Sequence, residues 1–396
     1  MSWPMVKLKE VTKLIDYGLT ASASKDCHGP RFLRITDLEE NGVDWKNVPR
    51  CICDDKKKSK NLLVKGDIVF ARTGATTGKS YLIGELEEDT VFASYLIRVR
   101  PNSDVFSPYL AYFFKSPNYW YQIGGMASGA TLPGVNASKL AELEFPLPPI
   151  AEQKRIAAIL DRADAIRQKR KQAIELADEF LRSVFLDMFG DPVTNPKGFP
   201  IKVLSELYVD PKNGTKCGPF GSALKKEEFV DGGIPVWNMD NISLSGNFKD
   251  EPKLWVTKEK FKEIDAYSVT DGDVIISRAG TVGKMGVVRT KYLNSLISTN
   301  LIRVRFSEDL LPEYFVALMT YCKGRVGRLK TGPDGSFTHM NTGILDKLEF
   351  PYPPIELQEK FLKLLADTER YLDKVSPNQF SELFDSLSQK AFSGQI

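Results

Sequence analysis

The sequence is poor in the residues that most often carry chemistry. Of 396 residues only two are histidine, His28 and His339, so a His-based triad has almost nothing to draw on. Five cysteines, Cys27, Cys51, Cys53, Cys217 and Cys322, make an odd number with no Cys-x-x-Cys pair. That is too sparse for a disulfide framework or a four-ligand zinc site. Cys27-His28 near Cys51-x-Cys53 is the one conceivable metal grouping, but the second half of the chain lacks a counterpart, and reduced cytosolic thiols are the better reading. No apolar run approaches the roughly 18 to 20 residues that span a bilayer, and the start MSWPMVKLKEV does not resemble a signal peptide. A soluble protein is expected. An excess of one charge is missing too: 54 Lys+Arg against 51 Asp+Glu leave a net charge of +3, so no global basic field announces nucleic acid, and any such contact must be local.

What is present is ordinary in composition and repeated in order. Hydrophobic residues at 42% and charged residues at 27% are those of a folded protein, long enough for two or three domains. The stretch KGDIVFARTGATTGKS from Lys65 to Ser80 recurs as DGDVIISRAGTVGKM from Asp271 to Met285. YLIRVR from Tyr95 recurs as NLIRVR from Asn300, and LEFPLPPI from Leu143 recurs as LEFPYPPI from Leu348, with Gln153 and Gln358 at the same place after it. The separation barely varies: Gly66 and Gly272 are 206 apart, Phe145 and Phe350 205, Phe189 and Phe392 203. A period this long exceeds that of any solenoid, so each repeat is a domain plus a connecting element. Each copy runs through short β-type segments with Gly, Asn and Asp turns, a short helical pattern, a Gly-rich polar loop, a Pro-rich stop and a long helix.

The long helix is the clearest local signal. From Ala151 to Phe189 there is neither Pro nor Gly. Apolar positions recur every seven residues as Ile156, Ala163, Ala177 and Val184, and as Ile159, Ile166, Ala173 and Phe180, interrupted by Arg170. About 40 residues give about 60 Å of helix, more than a small domain can bury. The second copy repeats the seam as Phe361, Leu364, Thr368, Tyr371 and Val375, then meets Ser376-Pro377. That pair predicts a kink or short break, followed by a new helix through Phe380, Leu383, Phe384, Leu387 and Ala391. The expected fold class is α+β: two homologous mixed α/β domains separated by two long antiparallel coiled-coil helices, with an internal pseudo-two-fold. The boundaries are 1–150 for the first domain, 151–190 for the first helix, 191–355 for the second domain and 356–396 for the second, kinked helix.

No motif announces catalysis. GATTGKS from Gly74 suggests a phosphate loop but is one residue short of the required spacing, and the second copy places Met285 where a magnesium-binding hydroxyl belongs. The alternative is a tight hairpin whose glycines supply positive φ. There is no Gly-x-Ser-x-Gly elbow, and the two Pro-Pro pairs are each followed by Ile at a helix start. What the copies share is a basic, hydroxyl-bearing turn: Arg72, Thr73, Thr76, Thr77 and Lys79 in one, Arg278, Thr281 and Lys284 in the other. Two long Gly-rich loops add Ser128, Thr131 and Asn136, and Ser336, Thr338 and Asn341; an upstream segment adds Lys216 and Ser222. Lys, Arg, Ser and Thr suit phosphate contacts, and Arg, Asn and Thr suit base edges. The lysine run Lys56 to Lys60 is either another backbone contact or a solvated face.

These residues, in order and twice over, resemble the specificity subunit of type I restriction-modification enzymes, the HsdS family. The resemblance covers essentially the whole chain. It rests on the paired KGDIVFARTG and DGDVIISRAG segments, the LEFPLPPIAEQKRI and LEFPYPPIELQEKF junctions, and the ends FLDMFGD from Phe185 and LSQKAFSG from Leu387. It implies that each domain is a target recognition domain reading one half of a split, asymmetric double-stranded DNA site, with the helices as a ruler. It also implies two adenine methyltransferase subunits and restriction (translocase) subunits as partners in a prokaryotic cytoplasm, with no membrane involved. The chain itself would be non-catalytic and bind no cofactor or metal; S-adenosylmethionine, ATP and Mg2+ would belong to the partners. On this resemblance the turn and loop residues become candidate DNA contacts, and Gln153, Ile156, Gln358 and Phe361 candidate subunit contacts. The competing readings are a scaffold that pairs two partner subunits without reading bases and, third, a stand-alone enzyme. A near-neutral reader sharing its affinity with larger partners should bind DNA weakly when alone.

Overall fold

The β-type runs of each copy build the same pair of sheets. The computed structural model describes residues 3–24, 27–39, 42–74, 76–127, 135–220, 223–243, 246–329, 340–373 and 377–396. Contacts divide the chain into two units, 1–172 with 376–396, and 173–375. In the first, an antiparallel sheet orders Thr12–Tyr17, Leu96–Pro101, Ile68–Ala71 and Ser80–Leu82. A second orders Ala23–Ser24, Arg50–Cys51, Arg31–Leu33 and Thr90–Phe92, the last two parallel. The second unit repeats this with Thr215–Cys217, Leu301–Val304, Val274–Ser277 and Met285–Val287, and with Leu254–Val256, Ile234–Trp237, Ser295–Ile297 and Ser268–Val269. Its second sheet also holds one parallel pair, at the centre of the sheet and not at its edge. A short ladder closes each copy, Met5–Lys7 on Glu144–Pro146 and Ile201–Val203 on Glu349–Pro351.

Register explains the alternation of the repeated strands. In LIRVR the aliphatic side chains Ile97 and Val99 join the helix-side core, whereas Arg98 points to the other face and is buried there. Arg98 pairs in register with Asp16, and its Nε and a terminal nitrogen donate to that carboxylate at 3.0 and 2.7 Å. The second copy places Lys216 opposite Arg303. Thus the same strand pair holds an ion pair in one unit and two cations in the other.

The helices follow the expected order and differ from expectation in how they are used. Ile150–Phe189 is one helix of 40 residues, and the second helical region divides into Ile355–Asp373 and Pro377–Phe392 around the predicted break. Ser376, the expected cap, lies outside the described residues. The heptad rows do not describe the buried face. Ile156 is buried, but Ile166 is 49% and Phe180 50% exposed, while Ala157, Leu160, Leu181, Phe185 and Phe189, which the rows omit, are buried. Each end of this helix packs on the globular part of its own unit, and that choice of face outweighs a uniform seam. In the first unit Phe392 of the C-terminal helix lies 5.3 Å from Tyr109 and 5.5 Å from Phe113, ring centre to ring centre. In the second, Phe189 lies 4.9 Å from Tyr314. Phe189 and Phe392 are repeat equivalents, so each unit is completed by the same aromatic contact. The units are therefore cut differently from the sequence boundaries: 376–396 belongs with the first domain, and the first long helix is shared between the units.

Candidate nucleic-acid interface

The basic turns are hairpin tips. Ile68–Ala71 pairs antiparallel with Ser80–Leu82, Ile68 opposite Leu82, and Val274–Ser277 pairs with Met285–Val287. Lys79 thus leads into a strand, not a helix N-terminus, and the phosphate-loop reading is removed. Glycines shape both tips: Gly74 and Gly78 have φ of +83° and +84°, and Gly280 and Gly283 +69° and +81°, values that side chains other than Gly seldom adopt.

Each tip is braced from beneath. The buried Tyr119 donates its hydroxyl proton to the Gly78 carbonyl at 2.6 Å, and Thr77 Oγ1 donates to the Gly74 carbonyl at 2.7 Å. In the second unit Ser277 Oγ donates to the Thr281 carbonyl, and Lys284 Nζ donates to the Met239 carbonyl at 2.9 Å. Lys284 is therefore engaged inside the unit, whereas Lys79, Thr73 and Thr281 are exposed and Thr76 half-buried.

The two arginines stand out. The Arg72 guanidinium carbon lies 4.9 Å from the centre of the Tyr17 ring, and that of Arg278 4.3 Å from the centre of Phe220. Tyr17 and Phe220 were not foreseen from sequence; they flank Gly18 and Gly218 in the upstream segments. A Cβ on Gly18 would fall 2.1 Å from the Phe92 carbonyl oxygen, and one on Gly218 2.0 Å from that of Ser298. Only glycine lets these segments pass so close to the sheet. The tip and the strand-joining turn next to it are tied by backbone bonds, Arg72 to Tyr95 at 3.1 Å and Arg278 to Asn300 at 3.0 Å. Tyr95, also unforeseen, is 61% exposed.

In the first unit the residues just after the Gly-rich loop reach the same place. Val135 donates its backbone N–H to the Arg72 carbonyl at 3.1 Å, and Ala137 donates to the Tyr17 hydroxyl at 3.0 Å. Asn136 and Asn341 each cap a short helix, their Oδ1 accepting from Lys139 and Ile344 at 2.8 and 2.9 Å, a role that accounts for both residues without a ligand. Ser128, Thr131, Ser222, Ser336 and Thr338 lie outside the described residues. Lys216 is set apart: its ammonium lies 5.2 Å from the centre of Tyr267, beside Arg303.

Four predicted subunit contacts are corrected. Gln153, Ile156, Gln358 and Phe361 are all 0% exposed. Gln153 donates to the carbonyls of Asp104 and Pro148, both at 2.8 Å, and accepts from Phe106 N–H. Gln358 donates to the Pro353 carbonyl and accepts from Leu311 N–H. Both amides satisfy backbone groups where the Pro-rich stop meets the helix, and Ile156 and Phe361 fill the cores below. They hold each unit together and offer no surface to a partner. The lysine run forms the helix Asp55–Asn61, where Lys57 pairs with Asp54 and Lys58 with Asp89, the pattern of a solvated face. No described helix is long and apolar enough to cross a membrane.

Comparison with known proteins gives the chain a family. The family model described as the type I restriction modification DNA specificity domain matches residues 2–176 and 220–379. The chain is 25% identical to the putative type I restriction enzyme MjaX specificity subunit of Methanocaldococcus jannaschii, over 92% of this chain and 86% of that protein. It is 22% identical to the EcoKI specificity subunit of Escherichia coli K12, over 100% and 89%. Among solved structures, the type I S subunit from M. genitalium aligns with a TM-score of 0.57 at 16% identity, over 98% of this chain and 96% of that one. A chain from a type I restriction-modification complex aligns with a TM-score of 0.53 at 17% identity, over 100% and 98%. These likenesses support the two-domain α+β fold. With most of its length matched, in two segments that follow its internal repeat, the chain belongs to the type I restriction-modification DNA specificity family.

Proposed function

We propose that the chain is the sequence-reading subunit of a type I restriction-modification enzyme, each unit reading one half of a split, asymmetric DNA site. The observation that carries this is the repeated hairpin tip: an arginine at equivalent places in two copies of one domain, its guanidinium held over an aromatic ring in each. Two such readers on one chain suit two unlike half-sites separated by bases that need no contact. The 40-residue helix shared between the units sets the gap. Two adenine methyltransferase subunits and the restriction subunits supply S-adenosylmethionine and ATP chemistry, and this chain supplies none. Exposed apolar positions on the helix, Ile166 in the first unit and Leu176 and Phe180 in the second, give one docking place per unit, in place of the buried residues first assigned.

The test is to sequence methylated adenines in a host with and without the gene. A bipartite motif that disappears with the gene is the expected result. A single uninterrupted motif, or methylation independent of the gene, would overturn the reading and favour a scaffold that reads no bases.

A further inference from the structure

Arg72 and Arg278 differ from the carboxylate-paired arginines of their units. Arg31, Arg50, Arg98 and Arg100 are paired with carboxylates in the first unit, and Arg289 and Arg305 in the second. Arg72 and Arg278 have an aromatic ring as their only side-chain partner among the described residues. A ring beneath a guanidinium restrains it while leaving its N–H donors uncommitted. The rings are not repeat equivalents: Tyr17 stands one residue before Gly18, whereas Phe220 stands two residues after Gly218. The same arrangement is thus built twice from different positions, which a shared framework alone does not explain. Tyr17 is additionally held by the Ala137 N–H at 3.0 Å, so in the first unit the ring is anchored to the helix that ends the Gly-rich loop.

A phosphate can also take an arginine fork, but it accepts a lysine as a point charge in its place and carries no sequence information. A planar fork held in a set orientation suits the paired acceptors O6 and N7 of guanine in the major groove. Resting on the DNA-reading function above, we infer that Arg72 and Arg278 each read one guanine, one in each half-site, and that Tyr17 and Phe220 are positioning residues that hold the guanidinium plane for it.

The test uses the full chain with its partner subunits in a host, scoring methylated adenines at sites that differ at each base of the motif. Loss of the gene-dependent bipartite motif itself would speak against the function; the outcomes below speak to the stacks. The wild-type motif should contain a G·C pair in both halves. Arg278→Ala should cut discrimination at one G·C pair by about 5- to 150-fold, leaving the other half-site unchanged, and Arg278→Lys should do nearly the same although it keeps the charge. Phe220→Leu should cut discrimination at that same pair by about 2- to 5-fold, with Phe220→Tyr restoring it. Tyr17→Leu and Tyr17→Phe should behave likewise in the other half. A half-site without a G·C pair would overturn the assignment for its unit. So would Arg278→Lys with unchanged discrimination, or Arg278→Ala lowering methylation uniformly at all sequences, since both mark a phosphate contact. Phe220→Leu that abolishes all methylation, or leaves the G·C preference intact, would overturn the positioning role.

Discussion

Exchanging one cross-strand residue should move stability from one unit to the other. Arg98 and Arg303 are repeat equivalents, 1% and 3% exposed, and both lie across a strand pair from the residue that decides their fate. Arg98 donates to Asp16 through Nε and a terminal nitrogen, and to the carbonyls of Leu62 and Lys60 at 2.9 and 3.0 Å. Arg303 donates to the carbonyls of Ser268 and Asn213 at 2.8 and 3.0 Å, but its buried Nε has no partner. Burial, with Arg305 nearby, makes this guanidinium harder to keep protonated than a free arginine. Lys216→Asp places a carboxylate in the register that Asp16 occupies. An unsatisfied buried donor costs about 1–3 kcal/mol, and a charge-assisted pair contributes a similar amount. Desolvation of the new carboxylate and the poor strand propensity of Asp offset part of this. The expected net gain is about 1–3 kcal/mol in the second unit. The reverse change, Asp16→Lys, strands Arg98 without its carboxylate and should cost about 3–5 kcal/mol in the first unit. Hydrogen exchange reports each unit separately. Amides of Leu301–Val304 should exchange about 5- to 150-fold more slowly in Lys216→Asp if they open with the whole unit, and those of Leu96–Pro101 faster in Asp16→Lys. Unchanged or faster exchange in Lys216→Asp would refute the argument that the orphaned Nε is a liability.

Gln153→Leu should destabilise the first unit by about 2–4 kcal/mol by leaving the Phe106 N–H and two carbonyls unpaired, read from urea unfolding; weaker association with a methyltransferase subunit at unchanged stability would restore it as a contact residue. Inserting one helical turn, about 5.4 Å, between Arg170 and Ala173 should lengthen the tolerated gap in the methylated motif, and an unchanged gap would remove the ruler. Burial pushes the Cys51 thiol up to about 12 and Cys322 to about 11, so at pH 8 iodoacetamide should label the half-buried Cys27, Cys53 and Cys217 well before either; fast labelling of Cys51 in the native protein would contradict its packing. Lys7 and Lys9 hold the Glu142 carboxyl down at about 2. Its folded-state value being depressed, any stabilisation from these contacts is present above the ordinary carboxylate range near 4 and lost as pH falls towards 2. A carboxyl NMR titration of Glu142 with a midpoint near 4 would show the pairs are not kept in solution.

The duplication, the hairpin tips, the two-domain α+β class and a second helical region beginning anew at Pro377 were legible in the sequence because each is local. A repeat is visible as text, glycines announce positive φ, and proline cannot continue a helix. Conserved-looking order also led to the right residues with the wrong role: Gln153 and Gln358 mark the junction in both copies because they satisfy backbone groups there, which no spacing rule reveals.

Other features depended on contacts between segments far apart in the chain. Heptad counting put Ile166 and Phe180 in a seam, yet the buried face of that helix is set by what each unit packs against it. Tyr17 and Phe220 gave no signal because their value lies in an arginine more than fifty residues away, brought beside them by strand pairing. The contrast between Asp16 opposite Arg98 and Lys216 opposite Arg303 is written in the sequence but acquires meaning only through register. The sequence by itself determined the elements, their order and their duplication, since these follow from local propensity and periodicity. Tertiary structure alone decided which polar groups are buried, which arginines are held over rings and which face of a helix is left to solvent, because burial and stacking are properties of side chains that meet only when the strands are aligned.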